Sequence, residues 1–287
     1  MRDRAGILPV NEAKIQCSIL NAAGFNVHLP AQKRLIVQEN RQDMRRHPLT
    51  AKIEPFDSFW EAPDDIEKGY RSFYLFYKDN YARWFPADKQ ANILCVSCGP
   101  GYAVNLLSNL GFTRVLGIDS FADKIAYAEK RHLNCRTAYA FDFLEDSADA
   151  VYDMIFVEQE LNHLTKPEIL DFLTLCRRKL RPGGRLICFA LNGANPITGA
   201  EALAQNFDHQ NTFTEYTFNQ VLEHTGFDEI HVFDLNLYVF YSNPFNYVAM
   251  AAAAMLKFFF RLCYILYGKN NKLFGKKIAA TAVRPAT

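Results

Sequence analysis

A chain of 287 residues, 49% hydrophobic and 22% charged, can bury a large core, which excludes a disordered chain and allows one elaborated domain or two small ones. Its net charge of +1 hides an asymmetry: no acidic residue follows Asp234, whereas Lys257, Arg261, Lys269, Lys272, Lys276, Lys277 and Arg284 do, giving a tail of +7 that points to an anionic partner. Seven scattered cysteines exclude a disulfide framework and favour a reducing, cytoplasmic compartment, and the Cys95/Cys98 pair lacks a second Cys or His pair at zinc-ligand spacing, so no metal is expected.

Residues 1–55 are polar and locally basic (Arg41, Arg45, Arg46) and read as a poorly defined N-terminal arm without a signal peptide. From Tyr70, aromatics recur at Phe73, Tyr74, Tyr77, Tyr81, Trp84 and Phe85, a spacing that keeps one helical face apolar up to Pro86. That face reads as core, or as a lid over a ligand bound at the next strand.

Alternation then predicts strands at 92–97, 114–118, 137–141, 153–157 and 185–190, with helices near 101–110, 121–131 and 167–180 between them. Arg181-Pro182-Gly183-Gly184 reads as a helix stop and turn. Thr214 reads as an N-cap for a helix from Glu215 to His224, before strands at 230–233 and 278–283. The expected fold is α/β: a Rossmann-like doubly wound, seven-stranded, mostly parallel sheet with an amphipathic helical insertion between the last two strands. The expected organisation is a core over 56–234, an apolar and basic insertion over 235–276, and a last strand and tail over 277–287.

Within the core, Ile93-Leu94-Cys95-Val96-Ser97-Cys98-Gly99-Pro100-Gly101 reads as a buried strand and a glycine turn opening a helix. Gly99 and Gly101 let a ligand lie against the backbone, and Asp119 at the tip of the next strand can take both hydroxyls of a ribose or cap a helix. A nucleoside cofactor is expected from these residues. The Gly-x-Gly-x-x-Gly dinucleotide fingerprint is not met, because Val104 stands where its third glycine belongs.

Phe245 to Gly268 is nearly all apolar, broken by Asn246, Lys257 and Arg261. Two cations near the middle argue against a transmembrane span. Lys257, Arg261 and Lys269 fall near one side of a helix, opposite Met255, Phe259 and Leu266. This predicts an interfacial helix on an anionic membrane surface, with a buried helix hairpin or an oligomer interface as the alternative. Nucleic acid is not expected, because the basic residues are interleaved with bulky aliphatics.

The ordered segments Ile93–Gly101, Gly117-Ile118-Asp119, Ala140-Phe141-Asp142-Phe143, Tyr152–Val157 and Leu180–Gly184 resemble the motifs of class I S-adenosylmethionine-dependent methyltransferases. The resemblance covers about residues 70–234 and implies S-adenosyl-L-methionine as cofactor. It implies that the backbone of Ser97, Cys98, Gly99 and Gly101 passes under the methionine part. It also implies that Asp119 binds the ribose, Asp142 the adenine amino group and Phe143 an adenine face, and that Glu158 and Gln159 border the methyl group. Two positions depart from the pattern. Cys95 replaces an acid that helps hold the cofactor's ammonium, and Ser97 replaces a glycine, which keeps the turn provided its φ is negative.

Residues Phe207 to Glu215 and the tail ending Tyr267-Gly268-Lys269 are similar to methyltransferases found with bacterial surface-glycan biosynthesis. O-methylation needs a group to remove the hydroxyl proton, and a histidine titrating near neutrality suits that task. His209 is the first candidate and His163 the second, each with a structural histidine as the alternative; His224 reads as a helix C-terminal residue. The expected activity is O-methylation of a sugar in a glycan or lipid-linked saccharide at the inner face of the membrane. The alternatives are methylation of a membrane lipid or quinone, and a catalytically silent cofactor-binding partner.

Overall fold

The computed structural model describes residues 65–158, 160–204, 209–236 and 244–286. The expected arm over 1–55 lies outside the described residues, as do Gln159, Phe207 and Asp208. Helix α1 (Ile66–Tyr81) begins where the Asp65 carboxylate accepts the Lys68 N–H at 2.9 Å, which satisfies one of the donors that every helix start leaves unpaired. A single 3-10 turn (Ala82–Trp84) follows, and the backbone is extended by Phe85, ahead of Pro86.

Strands and helices then alternate. They are β1 (Asn92–Val96), α2 (Tyr102–Asn109), β2 (Arg114–Asp119), α3 (Ala122–Lys130), β3 (Cys135–Thr137), α4 (Ala140–Asp146) and β4 (Tyr152–Val157). After these come α5 (Glu160–His163), α6 (Lys166–Lys179), β5 (Leu180–Leu191), α7 (Glu201–Ala204), α8 (Glu215–His224), β6 (Asp228–Asp234), α9 (Phe245–Leu266) and β7 (Lys277–Val283). The sheet order is β3-β2-β1-β4-β5-β7-β6, with β7 antiparallel to both neighbours and the other pairings parallel. The order reverses between β1 and β4, which is where a ligand crevice opens beyond the strand ends in sheets of this kind.

Two elements differ from expectation. The strand expected at 137–141 ends at Thr137, and residues 140–146 are helical. Phe141 and Leu144, three apart, sit on one helical side, Leu144 buried and Phe141 edge-on to Phe172, so the apparent alternation of Ala140 to Phe143 is a helical turn. The turn expected at Arg181–Gly184 is taken into β5: Leu180 already pairs with Tyr152, and the register shifts before Arg185 meets Met154. Between those pairs β5 advances five residues and β4 two, so the expected turn is kept inside the strand as three extra residues, bent at Gly183 with φ +76°.

The sheet buries both faces. Leu94, Val96, Ile155 and Leu186 pack with Phe172, Leu173 and Phe218 on one side, while Ile93, Cys95, Phe156 and Ile187 pack with Tyr77, Tyr81 and Leu106 on the other. Each fully buried Leu or Phe contributes about 2 kcal/mol. Capping boxes at Thr165/Glu168 and Thr214/Thr217 fix the starts of α6 and α8.

Helix α9 presents two faces. Inward, Lys257 pairs with Asp234 at 3.2 Å, the Tyr264 hydroxyl donates to the Ala194 carbonyl at 2.9 Å, and Phe260 and Tyr264 pack on Phe274. Outward, Val248, Met255, Phe258, Phe259, Leu262 and Leu266 are exposed. The faces divide as the spacing predicts, but Lys257 is committed to Asp234 rather than left for headgroups. By length and composition the helix could cross a membrane; here it lies along the body. Asp234 ends β6, and Lys277, which opens β7, pairs with Leu191 at the end of β5, so α9 sits at the carboxyl edge of the sheet.

Candidate functional site

β1 ends in a turn with three positive φ angles: Ser97 at +55°, Gly99 at +54° and Gly101 at +82°. The proviso on Ser97 therefore fails, and a residue with a β-carbon holds a conformation that favours glycine. The turn is pinned from within, because Cys98 N–H donates to Ile118 O at 3.0 Å and Gly101 N–H to Cys98 O at 2.9 Å. It is pinned from above by α1, where the Tyr70 hydroxyl donates to Pro100 O at 2.6 Å and Phe73 stacks on Tyr102 at 4.4 Å. The aromatic stripe is thus core, as expected, and it also holds the turn through Tyr70 and Phe73.

The two glycines differ in purpose. A β-carbon on Gly99 would meet open space, so a ligand has room against this backbone. One on Gly101 would come within 3.0 Å of Leu133 and 3.1 Å of the Cys135 sulfur, so Gly101 faces the body. The Cys98 thiol is buried, donates to Gly99 O at 3.7 Å and forms no disulfide with Cys95.

Asp119 is 6% exposed. Its Oδ2 accepts the Gly99 N–H at 2.8 Å and its Oδ1 the Phe121 N–H at 2.9 Å. It ties the turn to the entry of α3 and edges a small hollow. Ser97, Asp119, Ser120, Tyr139 and Ala140 line that hollow, which holds about 50 Å³ of open space. Asp142 and Phe143 are not among its lining residues. Asp142 is exposed in the first turn of α4, and Phe143 packs on the core with the Arg136 guanidinium 4.4 Å over its ring. Tyr139, to which no motif pointed, is the aromatic residue that lines the hollow.

Glu158 lies just past β4, with its carboxyl turned under α1, where the Tyr77 hydroxyl donates to Oε2. Burial pushes this carboxyl up to about 8 and the Tyr77 phenol well above its ordinary range. Burial also raises the Cys95 thiol, which stays neutral, and lowers the Lys277 ammonium to about 8. The Tyr77–Glu158 contact joins positions 81 residues apart, and only the helical spacing of the tyrosines hinted at it.

The two candidate bases come together. The rings of His163 and His209 sit edge-on with centroids 5.0 Å apart. His209 Nδ1 is 2.7 Å from the Ala202 carbonyl, which can only accept, so Nδ1 carries a proton and in the neutral ring the lone pair is on Nε2. Buried Asn162 stitches the loop in place: its Nδ2 donates to Asn211 O at 2.8 Å, its Oδ1 accepts from Leu191 N–H at 3.3 Å, and its carbonyl takes the Gln210 N–H at 2.9 Å. His224 ends α8, as expected.

The open space over Gly99, the carboxylate edging the hollow and the buried acidic group at Glu158 suit a ligand with a ribose and a cationic amino acid. Residues 93–184 match the family described as Methyltransferase domain. Over 117 residues the chain is 32% identical to the ubiquinone biosynthesis O-methyltransferase of Cereibacter sphaeroides, covering 39% of this chain and 45% of that one. The chain thus spans under half the length of that relative. A SAM-dependent methyltransferase structure from Archaeoglobus fulgidus superposes with a TM-score of 0.56 at 20% identity, over 76% of this chain and 97% of that one. Phosphoethanolamine N-methyltransferase 2 of Haemonchus contortus, in complex with S-adenosyl-L-methionine, gives 0.50 at 16%, over 80% and 60%. At such identities both structures speak for the fold. Residues 93–184 are thus a methyltransferase domain, carried on a sheet whose order and turn are those of an S-adenosylmethionine-binding Rossmann-like fold.

Proposed function

We propose that this protein methylates a hydroxyl of a lipid-borne acceptor at the cytoplasmic face of an anionic membrane. The observation that carries the reading is the outward apolar face of α9, placed at the carboxyl edge of the sheet where ligands of this fold bind. Lys269 and Lys272, both exposed, follow the helix, and each cation near an anionic leaflet adds about 1 kcal/mol of attraction. The cysteines of the described residues are free thiols, which suits the cytoplasmic side. The named relative belongs to ubiquinone biosynthesis, which favours a quinone-type lipid over the lipid-linked saccharide expected from residues 207–215.

When bound, the cofactor supplies an electrophilic methyl group on a sulfonium. The chain's own task is alignment and proton removal. In that transfer His209 Nε2 would take the proton that the acceptor hydroxyl gives up. The Ala202 carbonyl holds the ring in the tautomer that leaves this nitrogen basic. His163, edge-on to His209, orients that ring.

Incubating the protein with S-adenosylmethionine carrying a labelled methyl group and anionic vesicles made from a membrane lipid extract tests the reading. Label in a quinone-type lipid fraction is expected. Label in a lipid-linked saccharide fraction would move the acceptor to a glycan. No label with cofactor bound would favour a silent binding partner.

A further inference from the structure

The Glu158 backbone N–H donates to Val96 O at 3.0 Å, which sets this residue beside the first turn. Its Oε2 is engaged by Tyr77, while Oε1 is sealed from solvent and has no hydrogen-bond partner among the described residues. The Tyr81 hydroxyl is equally sealed and unpartnered, and it lies within the field of the same carboxyl. A buried polar atom left without a partner is unfavourable, and such atoms in native folds call for an explanation.

The surrounding groups narrow what the missing partner is. Tyr77, Tyr81, Cys95, Cys98, Asp119, Cys135 and Lys277 share the neighbourhood. The Cys95 and Cys98 thiols are held neutral by burial and local bonding, Asp119 directs each oxygen to a backbone N–H, and Lys277 Nζ sits over the Phe189 ring at 5.4 Å. S-adenosylmethionine brings an α-ammonium with a positive charge and three N–H donors. We infer that Glu158 is the counter-ion of that ammonium, with Oε1 accepting from it and Tyr77 fixing Oε2. This rests on the cofactor assignment above and gives the carboxylate role to the end of β4, since Cys95 of β1 cannot fill it.

The inference carries a protonation consequence. Free of ligand, the carboxyl titrates near 8, so at pH 7 it is largely protonated. Pairing with an ammonium ionises it, so binding releases a proton.

Calorimetry at pH 7 in two buffers of different ionisation enthalpy tests this with two ligands. These are S-adenosylmethionine and 5′-methylthioadenosine, which has the nucleoside but no amino-acid portion. The wild-type protein is expected to release about one proton with the first ligand and none with the second. Glu158→Gln is expected to weaken S-adenosylmethionine by about tenfold or more, with methylthioadenosine held within about twofold. Equal loss for both ligands, or no loss for either, overturns the inference. Should the variant fail to fold by circular dichroism, the wild-type proton count decides, and no release with S-adenosylmethionine overturns it. Wild-type protein binding neither ligand would instead overturn the cofactor assignment, a result seen before any variant is made.

Discussion

Asp119 and Gly99 are joined by a 2.8 Å hydrogen bond from backbone to carboxylate, and the same side chain receives Phe121 N–H at 2.9 Å. One carboxylate therefore shapes the turn and borders the hollow. Asp119→Ala leaves two shielded N–H groups without an acceptor and should cost about 2 kcal/mol in urea unfolding, together with most of the cofactor affinity. Asp119→Asn keeps one acceptor oxygen and should lose about 1 kcal/mol, with affinity still falling about tenfold because the charge on the ribose hydroxyls is gone. Unchanged stability in Asp119→Ala would show that the turn does not depend on this residue.

Ser97 holds φ +55° at the head of the same turn. The left-handed conformation costs a residue with a β-carbon about 1–2 kcal/mol, and glycine gives back part of that through its freer unfolded chain. Ser97→Gly should therefore stabilise the protein by about 1 kcal/mol, a rise of about 2–4 °C in thermal midpoint. A drop in the midpoint would mean that the hydroxyl makes a contact worth more than the strain.

These two residues show what the sequence makes legible. A run of apolar residues closed by glycines, with an acid one strand later, reports the turn and Asp119 because both are local signals. Ser97 hides its φ, since the side chain is small enough for either sign. The Tyr77–Glu158 contact is invisible for another reason: helical spacing says which tyrosines share a face, not which buried group the face covers. On α9 the spacing separates polar from apolar sides but cannot show that Asp234, at the end of β6, draws Lys257 inward. For Phe143 the motif suggests an adenine face, and only the fold shows that it also packs on the core beneath Arg136.

The histidine pair makes a graded prediction. His209→Ala should lower the methyl-transfer rate by about 10²–10⁴, with S-adenosylmethionine affinity within about twofold of wild type, because a general base acts on the acceptor. His163→Ala should cost about tenfold, as removal of a positioning ring, with KM for S-adenosylmethionine unchanged and the rate partly restored in His163→Phe. Equal loss of rate and of cofactor binding in His209→Ala would mark it as structural.

The outer face of α9 separates membrane attachment from folding. Phe258 and Leu262 are exposed and lie one turn apart, so replacing both with serine removes apolar surface without opening the core. Unfolding stability should stay within about 0.5 kcal/mol, while sedimentation with anionic vesicles should fall by about tenfold. Retained co-sedimentation would exclude this face as the attachment surface.

Glu158 makes stability depend on pH in a direction opposite to that of an ordinary paired carboxylate. Its folded carboxyl titrates near 8 against an ordinary 4.5, chiefly because burial disfavours the charge. With the folded value raised, the contribution to stability is fully present below about pH 4.5 and is lost as pH rises toward 8, since the unfolded chain ionises first. Lys277, lowered to about 8, contributes no slope below that value, so the interval from pH 5 to 7 isolates Glu158 between the two. Glu158→Gln removes the titrating group, and the comparison with wild type cancels the other carboxylates. The variant should therefore gain on wild type as pH rises, by roughly 2–3 kcal/mol between pH 5 and pH 7 in ligand-free denaturation. Saturating S-adenosylmethionine should reduce that gain, because the wild-type carboxylate then has its counter-ion. A stability difference that stays flat across the interval would mean that the carboxyl already ionises in the folded chain without ligand.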